Sequence, residues 1–210
     1  VSGITPVLSE EAKELTFAAL KKAREHHVKI SFDLNYRSKL WTSDVEEKQK
    51  MLSEMMEYVD ICFGNARDAA KCLGYFEDGV DFIDGDYSIC VDEEHMRNVL
   101  NHYHFSHLIT TLRNSISASD NGWSGAVCTP DDYYKGRDYM LHIVDRVGGG
   151  DSFASGFLHG ILSDMGSRKS LEFGLASAAI KHTIPGDLNY INESEVLAMI
   201  ESDGAGRVQR

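Results

Sequence analysis

The chain has 210 residues, 42% of them hydrophobic, and carries 21 Lys and Arg against 33 Asp and Glu, a net charge of −12. This length and apolar content are enough for a sizeable core, which excludes a disordered tail or a small disulfide-stabilised module. The negative charge argues against nucleic acid and anionic membrane surfaces as partners. An acidic protein can still bind a small phosphate ligand where Arg, backbone amides and a metal ion supply local positive charge.

Neither a membrane span nor a disulfide framework is predicted. No run approaches the roughly 18 apolar residues that a span requires, and the first residues have no signal-peptide pattern. We therefore expect a cytoplasmic protein. Four cysteines lie far apart in the chain, with no Cys-x-x-Cys pair, and this favours reduced thiols: Cys62, Cys72, Cys90 and Cys128.

The first part of the chain alternates helices and strands. Helical spacing of apolar residues begins after Ser9, and a β-rich run follows at residues 28–34. A second helix, capped by Ser43 or Asp44, carries the methionines of residues 51–56 as core residues, before a strand at 60–63 and a helix near 65–73. This rhythm predicts βαβ units and a parallel sheet.

The later elements are less regular. Residues 75–89 are rich in Asp and Gly and are expected to form a surface excursion. The turn dipeptide Asn121-Gly122 predicts a hairpin within residues 115–128. The other predicted elements are helices at 92–103, 151–163, 169–183 and 193–202 and strands at 107–112 and 139–144.

The segment from Asp145 to Asp151 reads Asp-Arg-Val-Gly-Gly-Gly-Asp and opens a predicted helix. Gly148, Gly149 and Gly150, named the glycine turn below, leave backbone N–H groups free to converge on an anion at the helix N-terminus. A carboxylate there is favoured in its charged form, so Asp151 can accept a proton from a substrate hydroxyl. The same residues also fit a tight strand-to-helix joint in which Asp151 is a simple N-cap.

Polar residues also follow the first predicted strand. If that strand stays extended, Asp33, Asn35 and Arg37 lie on one face at its carboxyl end, where ligands of open α/β sheets bind. Arg37 is suited to hold a carboxylate or a phosphate through its planar guanidinium. A polar loop in which Asp33 and Arg37 pair with each other is the alternative.

Two weaker signals follow other predicted strands. Asn65 and Asp68 can lie near a hydrated Mg²⁺, or Asn65 can simply cap the next helix. Arg113 ends a strand where it can meet nucleotide phosphates, although a solvated Arg fits equally well. Three histidines straddle a predicted helix end without a cysteine at ligand spacing, which favours packed or solvated roles over a metal site: His102, His104 and His107.

Together these motifs resemble the PfkB (ribokinase-like) sugar kinases, and most closely the 2-keto-3-deoxygluconate kinases. The resemblance is carried by Asp33-x-Asn35-x-Arg37, Asn65-x-x-Asp68, Thr111-Leu-Arg113, Asp145-x-x-Gly148-Gly-Gly-Asp151 and Gly186-Asp187. It implies an α/β three-layer sandwich with a mostly parallel central sheet and helices on both faces. Residues 1–210 would form a single domain that corresponds to about the last two-thirds of a family member.

The resemblance also implies a reaction, the transfer of the γ-phosphoryl group of ATP to a sugar hydroxyl. Asp151 would be the base, and the amides of the glycine turn would form the anion hole. Arg37 would hold the sugar acid and Asp187 a sugar hydroxyl. The triphosphate, with Mg²⁺, would be lined by Asn35, Asn65, Arg113, Ser115, Gly148 and Gly150. Asp68 stands where the family has Glu, which puts its part in the metal site in doubt.

The opening strands of the family, with their Gly-Gly doublet and β lid, have no counterpart in this sequence. We therefore expect an exposed sheet edge and, for the isolated chain, weak ATP binding and poor turnover. Partners would be a sugar acid and ATP, with a homo-oligomer left open. The alternatives are a kinase of this fold for fructose, ribose or a nucleoside, and a nucleotide-binding or oligomerisation module without catalysis.

Overall fold

The computed structural model describes residues 1–75, 92–117 and 119–202. Apart from Tyr75, the predicted surface excursion lies outside the described residues, as does Cys90. The chain forms two compact units. Unit 1 comprises Val1–Thr110 with Cys128–Tyr133, and unit 2 comprises Thr111–Val127 with Tyr134–Arg210.

Unit 1 has the predicted alternation of strands and helices. Its helices and strands are α1 (Glu10–Glu25), β1 (Ser31–Asp33), α2 (Val45–Met56), β2 (Ile61–Phe63), α3 (Ala66–Leu73), α4 (Glu93–Tyr103) and the first part of β3 (His107–Ser115), with short 3₁₀ helices at Thr5–Val7 and Ser38–Leu40. The Ser9 side chain caps α1 by accepting from Ala12 N, as the sequence indicates. Asp44 occupies the N-cap of α2 but adopts a left-handed conformation and makes no side-chain cap hydrogen bond.

The strands of unit 1 pair in parallel. β1 pairs with β2, and β2 pairs with β3, so that Asp33 lies opposite Phe63 and Phe63 opposite Ile109. The three strands therefore run in the same direction, β1 and β2 end at the same level, and β3 continues beyond them to Ser115. Met51, Met55 and Met56 of α2 are buried, which confirms their predicted place in the core.

The free edge of β1 is partly covered, contrary to our expectation of an exposed edge. Gly3 N donates to Asp33 O at 2.7 Å, and Asp33 N donates to Val1 O at 3.0 Å. Ser2 forms an isolated parallel bridge with Asp33. The first residues thus add a short stretch of strand pairing to β1, because their backbone groups meet its unpaired N–H and C=O groups.

Unit 2 contains the later strands and three helices. Its elements are the last part of β3, β4 (Asp120–Cys128, ending in unit 1), β5 (Tyr133–Lys135, beginning in unit 1), β6 (Tyr139–His142), α5 (Gly149–Leu162), α6 (Ser167–Lys181) and α7 (Glu193–Glu201). The strand order is β1-β2-β3-β4-β5, and β6 pairs antiparallel with β4. The sheet is therefore mixed and open. β5 was not predicted, because three residues carry too little periodicity.

The predicted turn at Asn121-Gly122 is wrong. Both residues lie inside β4, opposite Leu141 and Met140 of β6. The chain turns earlier, where Ser117 Oγ accepts hydrogen bonds from Ser119 N and Asp120 N. A glycine is present at position 122 because the side chain of Asn114 lies close to it: a Cβ there would be 3.2 Å from Asn114 Cβ.

Small residues bring α5 and α6 into close contact. A Cβ at Gly156 would lie 3.0 Å from Gly174 Cα, and one at Gly160 would lie 2.7 Å from Ser170 Cα. Phe153 and Phe157 of α5 are buried. This packing holds the start of α5 in place, because a core at native density leaves little freedom for rigid helices to shift. Within the described ranges, every helix is too short or too polar to cross a bilayer.

Candidate functional site

The glycine turn lies at the N-terminus of α5. Gly148 is the N-cap, with φ of 75°, and it provides no side-chain acceptor. The first amides of a helix have no partner within the helix. Gly149 N donates to Arg146 O at 3.4 Å, so among the described residues Gly150 N and Asp151 N are the first-turn amides that remain for an anion. Asp151 is the third residue of α5 and is exposed. The alternative in which Asp151 is a simple N-cap is therefore wrong.

The three glycines are required for different reasons. Gly148 needs its positive φ, and a Cβ there would clash with the carbonyl oxygen of Asp187 at 2.4 Å. At Gly149 a Cβ would lie 2.6 Å from Cε1 of His182. At Gly150 a Cβ would meet no atom of the described residues within 4 Å, apart from its chain neighbours and the backbone of its own helix. Packing thus explains the first two glycines and leaves open space over the third.

Asp145 joins the glycine turn to the segment that carries Asp187. Its Oδ1 accepts from Val147 N at 3.0 Å, and its Oδ2 accepts from Gly186 N at 2.8 Å. These amides hold the pKa of Asp145 below its ordinary value, since they favour the charged carboxylate. The structure therefore brings Asp187 to the glycine turn, two motifs that are far apart in sequence.

Cationic side chains surround His182 beneath the turn. The His182 ring is buried, and its Nδ1 lies 2.6 Å from Ala178 O. Burial lowers the pKa of His182, the hydrogen bond to Ala178 O opposes this effect, and the nearby charges of Arg113, Lys181 and Arg146 lower the pKa further. In a chain with a net charge of −12, these cations create a local positive field at a helix N-terminus.

Each of the two arginines contacts an uncharged side chain of β4. Arg113 Cζ lies 5.4 Å from the ring centroid of Trp123. With the Asn121 amide oriented so that its oxygen faces Arg146, this oxygen accepts from both terminal guanidinium nitrogens at 3.2 and 2.8 Å. Sequence reasoning missed Arg146, Lys181 and His182. For Lys181 and His182, the sequence offered one indication, a pair of polar residues at the end of an apolar helix.

In unit 1, Asn35 and Arg37 do not share the predicted face. β1 ends at Asp33, and Asn35 is left-handed with φ of 47°, which breaks the alternation of an extended strand. Asn35 N donates to Asp33 Oδ1, and Asn35 Nδ2 donates to Ser2 Oγ at 3.2 Å. Arg37 is exposed, and its Nη1 donates to the neighbouring Tyr36 O.

Asn65 and Asp68 form a capping box at the start of α3. Asn65 Oδ1 accepts from Asp68 N at 2.9 Å, and Asp68 Oδ2 accepts from Asn65 N at 3.2 Å. Burial raises the pKa of Asp68, an effect opposed by the Asn65 amide and by the charges of Arg67 and Arg37. The described residues contain no group of three or more His, Cys, Asp or Glu arranged for a metal ion.

The predicted site residues thus form two sets. Unit 2 brings together the glycine turn, Asp151 and Asp187, with Arg113 close to His182 beneath the turn. Ser115 is the last residue of β3. Unit 1 places Asn65 and Asp68 in one capping box, close enough to Arg37 for its charge to act on Asp68.

Known proteins resemble the chain along most of its length. The 2-dehydro-3-deoxygalactonokinase of Haloferax volcanii is 29% identical over 205 residues, which are 98% of this chain and 57% of that protein. The 5-dehydro-2-deoxygluconokinase of Bacillus licheniformis is 27% identical over 96% of this chain and 56% of its own length. The chain therefore spans a little over half of these relatives.

Solved structures confirm the fold class. The crystal structure of 2-dehydro-3-deoxygluconokinase from Thermotoga maritima superimposes with a TM-score of 0.84 and 40% identity, over 95% of this chain and 58% of that one. The sequence model of the pfkB family of carbohydrate kinases matches residues 1–193 of the chain. The open α/β sheet is thus ribokinase-like, and the chain belongs to the pfkB family of carbohydrate kinases.

Proposed function

We propose that this chain is the nucleotide-binding and catalytic part of a kinase that phosphorylates a sugar hydroxyl with ATP. The acceptor that we favour is 2-keto-3-deoxygluconate, which would become its 6-phosphate. One observation carries the proposal most directly: the glycine turn has open space over Gly150, beside the exposed carboxylate of Asp151. Packing does not require a glycine at this exposed position, and alanine is the more favourable residue within a helix, so a role of Gly150 in admitting an anion to the helix N-terminus supports the proposal.

The glycine turn acts on the transferred phosphoryl group. Backbone N–H groups at the start of α5 are fixed in direction before substrate binds, so they stabilise negative charge without reorganising. The positive field of Arg113, Arg146 and Lys181 adds to that of the helix N-terminus. Phosphoryl transfer asks mainly for positioning and charge stabilisation, and this arrangement supplies both.

Asp151 is the general base. The sugar hydroxyl oxygen attacks phosphorus, its proton passes to the Asp151 carboxylate, and the bond to the ADP oxygen breaks. A loose transition state requires little proton abstraction until late, so a carboxylate is a sufficient base for this step. Asp151 lies on α5, which packs tightly against α6. This packing keeps its carboxylate next to the amides that we propose bind the anion.

The remaining residues bind the two substrates. Arg37, exposed beyond β1, would hold the carboxylate of the sugar acid, and Asp187 would accept a hydrogen bond from a sugar hydroxyl. The triphosphate would be lined by Asn35, Asn65, Arg113 and Ser115 in addition to the glycine turn. The use of ATP agrees with the cytoplasmic location that the sequence predicts.

Asp68 is the residue that fits a magnesium ion, in a water-mediated role. Its Oδ2 accepts from the capping-box amide of Asn65, and burial disfavours its charged form, which a nearby cation would restore. Mg²⁺ usually takes one or two carboxylates, several waters and the substrate phosphates, so no larger acidic cluster is needed. When bound, it supplies charge neutralisation on the phosphate oxygens.

The names of the relatives favour a keto-deoxy sugar acid, since they include 2-dehydro-3-deoxygalactonokinase and 5-dehydro-2-deoxygluconokinase. A second candidate is therefore a kinase for one of these related acids. Fructose, ribose and nucleosides stay as more distant alternatives, as does a nucleotide-binding module without catalysis. The acceptor is tested together with the reaction.

The test is an assay of ADP release by the full-length gene product on a panel of these acceptors. We expect turnover with 2-keto-3-deoxygluconate, and a loss of about 10²- to 10⁴-fold in kcat for Asp151→Asn, because the base is removed with little change in shape. Asp164→Asn, an exposed aspartate beyond the end of α5, is the matched control and should keep wild-type activity. Turnover of another acceptor would reassign the substrate, and no turnover on any acceptor would contradict the kinase.

A further inference from the structure

Lys181, the last residue of α6, is a buried cation. Its side chain has 0% exposure, and it is the only Lys, Arg, Asp or Glu that is buried among the residues whose burial the structure describes. Its Nζ donates to the carbonyl oxygen of Ile184 at 3.1 Å. Burial of an ammonium group is costly unless strong partners compensate for the lost water, so its presence needs a reason.

The compensation visible around Lys181 is modest. Within the described parts of the chain, no carboxylate oxygen lies within 4 Å of its Nζ. Asp145 is close enough for the Lys181 charge to help lower its pKa, but both oxygens of that carboxylate accept from backbone amides of Val147 and Gly186. The positive charge of Lys181 is therefore only partly neutralised by its surroundings, and it can act on a ligand at the glycine turn.

Lys181 lies directly behind the glycine turn. Its Cε is 3.3 Å from the position that a Cβ of Gly148 would take. The same residue raises the positive potential around His182, on which Gly149 packs. A fixed charge in a poorly solvated place acts over a longer distance than an exposed one, because less water screens it.

We propose that Lys181 is a positioning residue whose buried ammonium acts through the glycine turn to strengthen binding of the terminal phosphates of the nucleotide. The proposal rests on the nucleotide-binding role proposed above. It explains why a buried ammonium group with few polar partners is present. A charge that destabilises the folded state can be retained where it strengthens the binding of an anionic ligand. Removal of the charge should therefore weaken phosphate binding without weakening the fold.

The experiment compares Lys181→Met with Lys169→Met. Methionine keeps the length and apolar stem of lysine without its charge, and Lys169 is an exposed residue of the same helix. Dissociation constants for ATP, ADP and AMP are measured by calorimetry on the full-length gene product, alongside thermal unfolding. We expect Lys181→Met to bind ATP and ADP about tenfold more weakly, the effect of one unit charge roughly 12 Å from a phosphate charge at an effective dielectric of about 20.

AMP is the internal control, because it lacks the β- and γ-phosphates. Its affinity should stay within about twofold in Lys181→Met, and the Tm should be unchanged or higher, as replacement of buried charges by apolar groups often shows. Lys169→Met should match the wild type for all three nucleotides. This pattern separates a charge effect on phosphates from a general loss of structure, which would weaken AMP binding as well.

Equal ATP affinity of wild type and Lys181→Met would overturn the proposal. A lower Tm with parallel losses for ATP and AMP would also overturn it, because Lys181 would then serve the fold. Lys181→Gln is the second variant should Lys181→Met fail to fold, and failure of both would overturn the proposal in the same way. Wild-type protein that binds ATP but phosphorylates no sugar would count against the kinase function only.

Discussion

The polar residues of unit 1 and the glycine turn of unit 2 differ in how the protein itself uses their hydrogen-bonding groups. In unit 1, Asn65 and Asp68 satisfy each other in a capping box, and Asn35 bonds to Asp33 and Ser2. In unit 2, a Cβ at Gly150 would meet no described atom within 4 Å beyond its chain neighbours and the backbone of its own helix. The polar groups of unit 1 therefore have a structural role, whereas packing gives no reason for a glycine at position 150, where we propose that an anion binds.

The comparison predicts opposite effects of alanine at neighbouring glycines, and this is the largest effect that we expect. Gly150→Ala should raise stability by about 0.5–1 kcal/mol, because alanine is favoured over glycine in a helix and has room there. It should nevertheless lower kcat/KM by about 10²-fold, since its methyl group fills the anion site. Thermal unfolding and ADP release measure the two effects.

Gly149→Ala is the matched control for this experiment. Its Cβ would lie 2.6 Å from the His182 ring, so it should destabilise the protein by about 1–3 kcal/mol. If Gly150→Ala kept full activity, or lost stability as Gly149→Ala should, the open face of the turn would have no functional meaning.

Acidification should affect the region beneath the glycine turn through His182. Its pKa lies below the ordinary 6.5, so the unfolded chain binds the proton more readily, and stability contributed by the neutral ring is lost as the pH falls below 6.5. The thermal unfolding temperature of the wild type should therefore drop more steeply between about pH 7 and 5 than that of His182→Gln. Parallel curves for the two proteins would show that His182 does not titrate in this way.

The capping box of unit 1 should show the smallest effect. Asn65→Ala should cost about 1 kcal/mol of stability, because Asp68 N loses its acceptor at the start of α3. Burial raises the pKa of Asp68, so the stability that this carboxyl contributes to the fold declines as the pH rises above 3.8. Apart from the lost cap interaction, Asp68→Asn should therefore be more stable than wild type at neutral pH.

The capping-box variants are compared by denaturant unfolding at pH 4 and pH 7. The free energy of unfolding of Asp68→Asn, relative to that of wild type, should be higher at pH 7 than at pH 4. A shift in the other direction would mean that the charged carboxylate is stabilised in unit 1, as a resident cation would do, and the contrast between the two units would narrow.

Local patterns in the sequence were sufficient to predict most helices and the place of the glycine turn at a helix N-terminus. Ser9 and Asn65 predicted helix starts that the structure shows, because a cap depends on residues three or four positions away. The glycine turn was recognisable for the same reason, since its three glycines and Asp151 are consecutive in the chain.

Only the tertiary structure decided which distant groups meet. Asn121-Gly122 has the composition of a turn, yet pairing with β6 places it inside a strand, and the left-handed Asn35 ends a face that alternation alone would continue. Burial of Lys181 and the contact between Gly148 and Asp187 join segments more than 30 residues apart, as does the bond from Gly186 to Asp145. Such contacts depend on how helices and strands pack in three dimensions, and no local rule of spacing contains that information.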